Sequence, residues 1–444
     1  YICNSFPCIT ISNTASGGSP GLLVVEGEEG AIITVGNGVV SSSSSGGLVQ
    51  VNGSNVVITN LAIDGNSQNN NYGNGAYNLL INGDSIWVFN VSALNGGGVG
   101  VVNSSNVVIT DLISNGNEYD GVYIGGSRDV FLINSEVVGN ANYGIEINNS
   151  SNVTISGSLI RDNTNGINNQ GSSVSLVNSV VEFVSITGNY GINASIGNAS
   201  FTISGVSVRG SMKNAINVSL SSGAELTIVG SSVAGGSSGT LGISSTPGSG
   251  AKAVVMMTQF KDANATSNSY PYVISGIDSV ELINNSFTHG NAASSVNGVE
   301  VMNSGYVIIR GNEVSGYNVG LSIGNCNYVE LINNYFTNTT TPVMYTGVKQ
   351  MVAKSNAGYT PAVTTPAIPS SGSSTVNTYP VPVMVFIYGG SVTQITVIKA
   401  GQQYTIFQSV TPQSLNGEYV ILDPGDSIAI NYIQPPNWVW VPNY

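Results

Sequence analysis

The chain has 444 residues, 41% hydrophobic and only 7% charged, with 56 glycines; an ordinary soluble protein carries about 25% charged residues. Ten Lys and Arg against 23 Asp and Glu give a formal net charge of −13, which argues against nucleic acid and anionic lipid as partners, since those contacts depend on Lys and Arg. A large apolar core is available, and its surface must be covered by hydroxyls and amides rather than ions.

The chain opens with "YICNSFPCITIS" at Tyr1 rather than Met, which fits a mature N-terminus left by removal of a signal peptide. Residues 1–20 read as an N-terminal cap or assembly segment. Cys3 and Cys8 are spaced for a small disulfide loop of the kind formed in oxidising compartments, while Cys326 has no obvious partner. "EGEEG" from Glu26 to Gly30 reads as a solvated loop, with cation binding as the alternative. No apolar run is long enough for a membrane span. One His and three Cys argue against a zinc site or a His-based triad, so no metal and no cofactor are expected.

From residue 21 a repeat emerges. Gly followed by alternating apolar residues recurs at Gly98, Gly121, Gly144, Gly166 and Gly191, in steps of 23, 23, 22 and 25, and again at Gly298 and Gly320. A second series follows it: "SNVVIT" at Ser54 and Ser105, "RDVFLI" at Arg128, "SNVTIS" at Ser151 and "NYVELI" at Asn327. Strict alternation marks strands with one buried face. A period in the twenties marks a solenoid whose units bury their apolar faces only by stacking. Ile145, Ile147, Val153 and Ile155 should then point inward, with "NNSSN" (Asn148 to Asn152) as the corner between their strands. Asn and Ser tolerate left-handed backbone there, and the corner asparagines of successive coils should stack inside the solenoid.

This pattern resembles the right-handed parallel β-helix of the pectin-lyase-like superfamily over residues 21–354, as about twelve coils. The superfamily includes polysaccharide lyases, glycoside hydrolases, tailspikes, adhesins and surface proteins, so the resemblance implies a fold and leaves the function open. Residues 355–380, rich in Pro, Ser and Thr, read as an extended linker. Residues 381–444 read as a small C-terminal β-sandwich, with "DPGD" at Asp423 as a turn between strands. The stretch from Gly425 to Trp440 is similar to the ends of small all-β domains on surface proteins of archaea and their viruses. Trp438, Trp440 and Tyr444 are read as an assembly strand that adds to a neighbour's sheet.

Asn-X-Ser/Thr triplets occur at Asn52, Asn90, Asn103, Asn148, Asn149, Asn152, Asn193, Asn198, Asn217, Asn264, Asn284 and Asn338, which point to glycosylation of an exported protein. Catalysis is not expected. The polygalacturonase-type motifs that the resemblance would imply are missing, apart from an echo of Gly-His-Gly in "THG" at His289, itself read as a surface residue. If the protein is an enzyme after all, stacking the Gly series brings Asp120, Tyr123 and Glu146 into one patch, with Arg161 and Asp162 nearby in phase. Two carboxylates so placed are the material for acid–base cleavage of a glycosidic bond. The expected function is an extracellular filament, sheath or spike subunit whose β-helix is a rigid rod and whose ends contact other copies. The alternatives are a polysaccharide lyase or glycoside hydrolase and a glycan-binding adhesin.

Overall fold

A computed structural model describes residues 1–14, 21–41, 44–262, 269–289 and 295–443. Among these residues, parallel strands from Ile2 to Lys354 join into a single 36-stranded hydrogen-bonded system. It is a solenoid with three faces. On the first face Val99, Val122, Ile145 and Ile167 pair in register, one per coil. On the second face Val107, Val130, Val153 and Val174 do the same. On the third face Ser114, Val137, Ile160 and Val181 follow suit. Every apolar member of these rows is at most 5% exposed. Each buried aliphatic side chain contributes roughly 1.5–3 kcal/mol of apolar transfer, and no coil has that contribution without its neighbours.

The regular step in the sequence has a steric cause. Successive coils approach so closely at the corner before the first face that a Cβ on Gly166 would lie 2.2 Å from the Gly191 carbonyl oxygen. Only glycine fits such an approach. At the corner after that face, Asn149 and Asn152 take φ of 46° and 52°, a left-handed conformation that most side chains reach only at a cost of roughly 1–2 kcal/mol.

Polar ladders line the inside of the corners. At the "NNSSN" corner the internal stack is serine rather than asparagine. The backbone N–H groups of Ser104, Ser127 and Ser150 donate to the hydroxyls of Ser127, Ser150 and Ser172 at 3.1, 3.1 and 2.8 Å. Asparagine stacks at another corner: Asn117 donates to Asn140 and Asn140 to Asn163, both at 2.8 Å. A second asparagine ladder runs Asn285, Asn312, Asn334, Asn356 at 3.0, 3.0 and 2.9 Å. Satisfied buried polar chains of this kind fix coil register, because a slipped coil would leave the amides unpaired.

The ends differ from the expected boundaries. The solenoid begins inside residues 1–20, since Ile2–Cys3 and Ile9–Asn13 already pair with the following coil. Cys3 and Cys8 form a disulfide within that first coil. Residues 355–380 are not a free linker. The Pro380 carbonyl accepts from the Met351 N–H of the last coil, and Ser374–Val376 is already a strand of the terminal sheet. That sheet is antiparallel and five-stranded. Its long central strand Val383–Lys399 pairs with Gln402–Leu422 along one side, and with Ser427–Gln434 and Asn437–Pro442 along the other.

Trp438 and Trp440 are corrections to the assembly reading. They are 6% and 2% exposed and belong to the core of this sheet. The Trp438 indole N–H donates to the Pro366 carbonyl at 2.7 Å. Val363 and Ile368 pack on the same core, so the Pro-rich stretch is a strap across the tryptophans. Tyr444 lies outside the described residues.

Candidate functional site

The residues named as a conditional catalytic patch do come together on the first face. Tyr123 and Glu146 are direct register partners. Asp120, 8% exposed, accepts from the Asn142 side-chain amide at 2.8 Å and from the Tyr143 backbone N–H at 3.1 Å. Its carboxyl also hydrogen-bonds that of Glu146. Burial first, then the Glu146 contact and charge, push the Asp120 carboxyl up to about 7. Asp120 therefore holds its proton to a higher pH than a free carboxylate, because two carboxylates in contact cannot both ionise cheaply.

Aromatic rings frame the pair. Tyr77 stacks on Tyr123 at 6.2 Å and 28° between planes. Gly100 lies between their coils, and a Cβ there would meet the Tyr77 ring at 2.9 Å, so the glycine lets the ring lie against the sheet. Burial, and then Tyr123, Asp120 and Glu146, raise the Tyr77 hydroxyl above the ordinary tyrosine value. Tyr143 is raised as well, by burial and then by Glu146 and Asp120. Along the same row Asn217 donates to Asn193 at 2.9 Å and Asn193 donates to Asn168 at 3.0 Å. Asn168, at an outward phase of this row, is fully buried, and its side-chain nitrogen has no partner within the chain. Asn148 donates to Glu146 at 3.1 Å while its own oxygen is unpartnered. The sequence reading missed Tyr77, Asn148 and Asn168. Gly100 at an outward position was the available signal, since a bare position beside a tyrosine makes room for a ring.

Arg161 and Asp162 are not part of this patch. Arg161 pairs with Glu136 at 3.4 Å on the third face. Asp162 accepts the backbone N–H groups of Val184 and Ser185 at 2.6 and 2.9 Å. These bonds outweigh burial and lower its carboxyl.

His289 is not a surface residue. Its side chain is 6% exposed and its Nδ1 lies 3.0 Å from an Asp262 oxygen. Tyr317 donates to the other Asp262 oxygen at 3.0 Å, and its oxygen lies 3.1 Å from the Tyr272 hydroxyl. Burial raises the Asp262 carboxyl, with the His289 and Tyr317 contacts offsetting part of it. Asp262 is wholly enclosed, so this cluster fills the coil interior. The glutamates of "EGEEG" line an open depression of about 720 Å³ with Asn60 and Asn90 at the first coils. Among the described residues no three His, Cys, Asp or Glu side chains converge as metal ligands.

Of the sequon asparagines, Asn90, Asn103, Asn149, Asn152, Asn198, Asn217, Asn284 and Asn338 are exposed. Asn52, Asn148 and Asn193 are half-buried, and Asn264 lies outside the described residues. No helix among the described residues is long and apolar enough to cross a membrane.

Residues 68–233 match the family model described as right-handed β-helix region. With the parallel ladder, this makes the fold a right-handed parallel β-helix followed by a separate antiparallel sheet. No curated protein matches the sequence. Among solved structures the chain is similar to the A-module of a mannuronan C-5 epimerase from Azotobacter vinelandii, at 15% identity and TM-score 0.34, covering 76% of this chain and 88% of that one. It is similar to a surface protein and adhesin of Streptococcus pneumoniae, at 12% identity and TM-score 0.33, covering 76% and 91%. It is also similar to the tailspike of Pseudomonas phage phi297, at 14% identity and TM-score 0.34, covering 82% and 66%.

Proposed function

We propose that the protein is an extracellular rod of a cell or virion surface, a structural and adhesive subunit without catalytic turnover. The observation that carries this is the unbroken ladder, in which every coil from Ile2 to Lys354 is hydrogen-bonded to the next and the corners are locked by internal serine and asparagine stacks. Such a solenoid transmits force along its axis and holds its ends at a fixed distance. Its partners would be further copies of itself and surface glycans. Exposed sequons such as Asn90, Asn152 and Asn338 would carry sugars that keep a nearly ion-free surface hydrated.

The first face supports the adhesive half of this reading. Flat tyrosine rings suit the apolar faces of sugars, and a protonated Asp120 carboxyl both donates to and accepts from hydroxyls. The same geometry counts against glycosidase chemistry. That chemistry holds its two carboxyl groups about 5–9.5 Å apart, so that a sugar or a sugar and a water fit between them. Here they touch each other.

The test is a glycan array read in parallel with release of reducing or unsaturated sugar ends. Binding without release is expected, with Tyr123→Ala losing most of the signal. Release that disappears in Glu146→Gln would make the protein an enzyme and overturn the proposal.

A further inference from the structure

The second face of the solenoid carries an uncovered apolar stripe. One outward row runs from Val57 through Trp87, Val108 and Phe131 and ends, eight coils on, at Val254. The row beside it runs from Thr59 through Phe89 and Ile133 to Met256. More than half of these outward positions are apolar, the others are Ser or Thr, and neither row carries a charge. Glu26 beside Thr59 and Glu281 beside Val254 bound the charge-free band. All of its side chains are half-buried, as outward residues of a bare sheet are, and none is buried, so no described residue lies over it. The third face differs: there Arg161 pairs with Glu136 and Arg209 with Glu182, at 3.4 and 2.7 Å.

An exposed apolar area of this extent marks a contact surface, and its size points to the occupant. Nine coils at about 4.8 Å, with five or six residues per strand at about 3.3 Å, make a face of roughly 700–850 Å². A stable protein interface buries about 800 Å² per partner, which a second copy presenting the same face supplies. Absence of charge favours that occupant too, since a charged partner would lose hydration there with no opposite charge in return.

The face also complements itself end for end. The bulky rings of Trp87, Phe89 and Phe131 lie in its first half, whereas Ser175, Thr202 and Thr227 continue the first row in its second half. A two-fold axis along the strand direction through the Thr154 coil sets Trp87 against Thr227 and Phe131 against Ser175. Large then meets small, as close packing requires. Setting each coil against its own copy would stack ring on ring and hold the small halves apart.

We infer that two copies pair through this second face, lying antiparallel with their sheets about 10 Å apart. This deepens the self-assembly in the rod reading and rests on it. The contact is isologous and closes as a two-fold pair. Charged groups keep to its margins: Asp84, Arg128, Asp129, Glu225 and Lys252 where the strands begin, and Asp111 where one ends. Both signs occur there, in solvent, and Lys252 is already bonded to Glu225 at 3.1 Å, so the rim contributes little. The sequon asparagines Asn90 and Asn152 bond along their corners to Asn60 and Asp129 at 2.9 and 2.6 Å; sugars on them leave from the edges and flank the pair.

The experiment is sedimentation velocity of the full chain. Wild type should be a concentration-dependent dimer that persists when the screening length falls from about 10 Å at 0.1 M salt to about 3 Å at 1 M. Trp87→Glu and Thr227→Lys should each weaken it by more than about tenfold, since each buries a charge without a partner. Their mixture should recover the dimer, because one symmetric contact then joins opposite charges and the other is wild type. Circular dichroism checks that each variant folds. Thr154→Cys, a smaller change, should cross-link a pair across the axis on oxidation, while Ser195→Cys, exposed on the first face, should not; Cys326 is buried. Wild type that stays monomeric at every concentration, a dimer that both charged variants leave intact, or a dimer that Thr154→Cys fails to cross-link would overturn the pairing. So would a monomer that floats with neutral phosphatidylcholine vesicles, since the face would then take lipid. Pairing that fails in protein still displayed on the outer surface of its source sinks this inference alone; protein absent from that surface removes the rod reading, whatever its sedimentation.

Discussion

The carboxyl pair on the first face makes a prediction about pH. In the folded chain Asp120 is pushed up to about 7, by burial first and then by Glu146; unfolded, it returns to the ordinary carboxylate value of about 3.9. A group whose folded pKa is raised adds stability below its unfolded pKa, and that stability is lost as pH rises through the folded value. Each tenfold change in proton affinity is worth about 1.4 kcal/mol, so ionising this site between about pH 4 and about pH 8 costs on the order of 4 kcal/mol. Asp120→Asn removes the titration. Its side-chain oxygen still accepts from Asn142 and Tyr143, and its amide can donate to Glu146. The assay is the guanidinium unfolding midpoint of both proteins across that range. The variant should be near wild type at the acid end and progressively more stable towards the alkaline end. Parallel profiles would refute the raised Asp120 carboxyl.

Three other perturbations test the interior. Asn140→Ala strands the backbone N–H of Asn117, while the Asn117 side-chain amide keeps Ala93 and Ser114 as acceptors; at about 1–3 kcal/mol per orphaned group the loss should be about 1–3 kcal/mol, read by urea unfolding and by faster hydrogen exchange in the adjoining coils. Ile145→Ala, at a wholly buried position, should cost about 2–5 kcal/mol and open a proteolytic site near that coil, read by limited digestion. Tyr317→Phe withdraws a donor from the enclosed Asp262 carboxyl and should destabilise by about 1–3 kcal/mol, more as pH rises, because the ionised form loses the bond; a pH-independent loss would contradict that role.

The three faces were legible because side-chain direction alternates with every residue. Ile145, Ile147, Val153 and Ile155 could be placed inside from spacing alone, and a coil repeat of about 4.8 Å brought Tyr123 beside Glu146. Burial of outward-facing polar groups was not legible in this way. Asn168 sits at an outward phase, yet is covered in three dimensions. His289 carried a signal that went unused: Phe287 points into the coil, and two residues further on lies the same side. At Trp438 and Trp440 alternation showed that the indoles share a face with each other, not whether that face is covered. The strap from Val363 to Ile368 decides it, and its Pro- and Thr-rich composition looks like a spacer because it packs through few, dispersed apolar residues. Corner chemistry was half legible: left-handed Asn149 and Asn152 follow from residue type, but the assignment of serine to the inner stack depends on which residue of the corner turns inward.

The central claim is a rod that works at a surface by assembly and adhesion. Electron microscopy of the native, untagged protein on its source particle or cell, with an antibody fragment against the terminal sheet, tests it most directly. The account predicts rods with a solenoid on the order of 60 Å long, from about twelve coils at about 4.8 Å each, standing on the outer surface and labelled by the antibody. Dispersed single particles confined to the interior would contradict it.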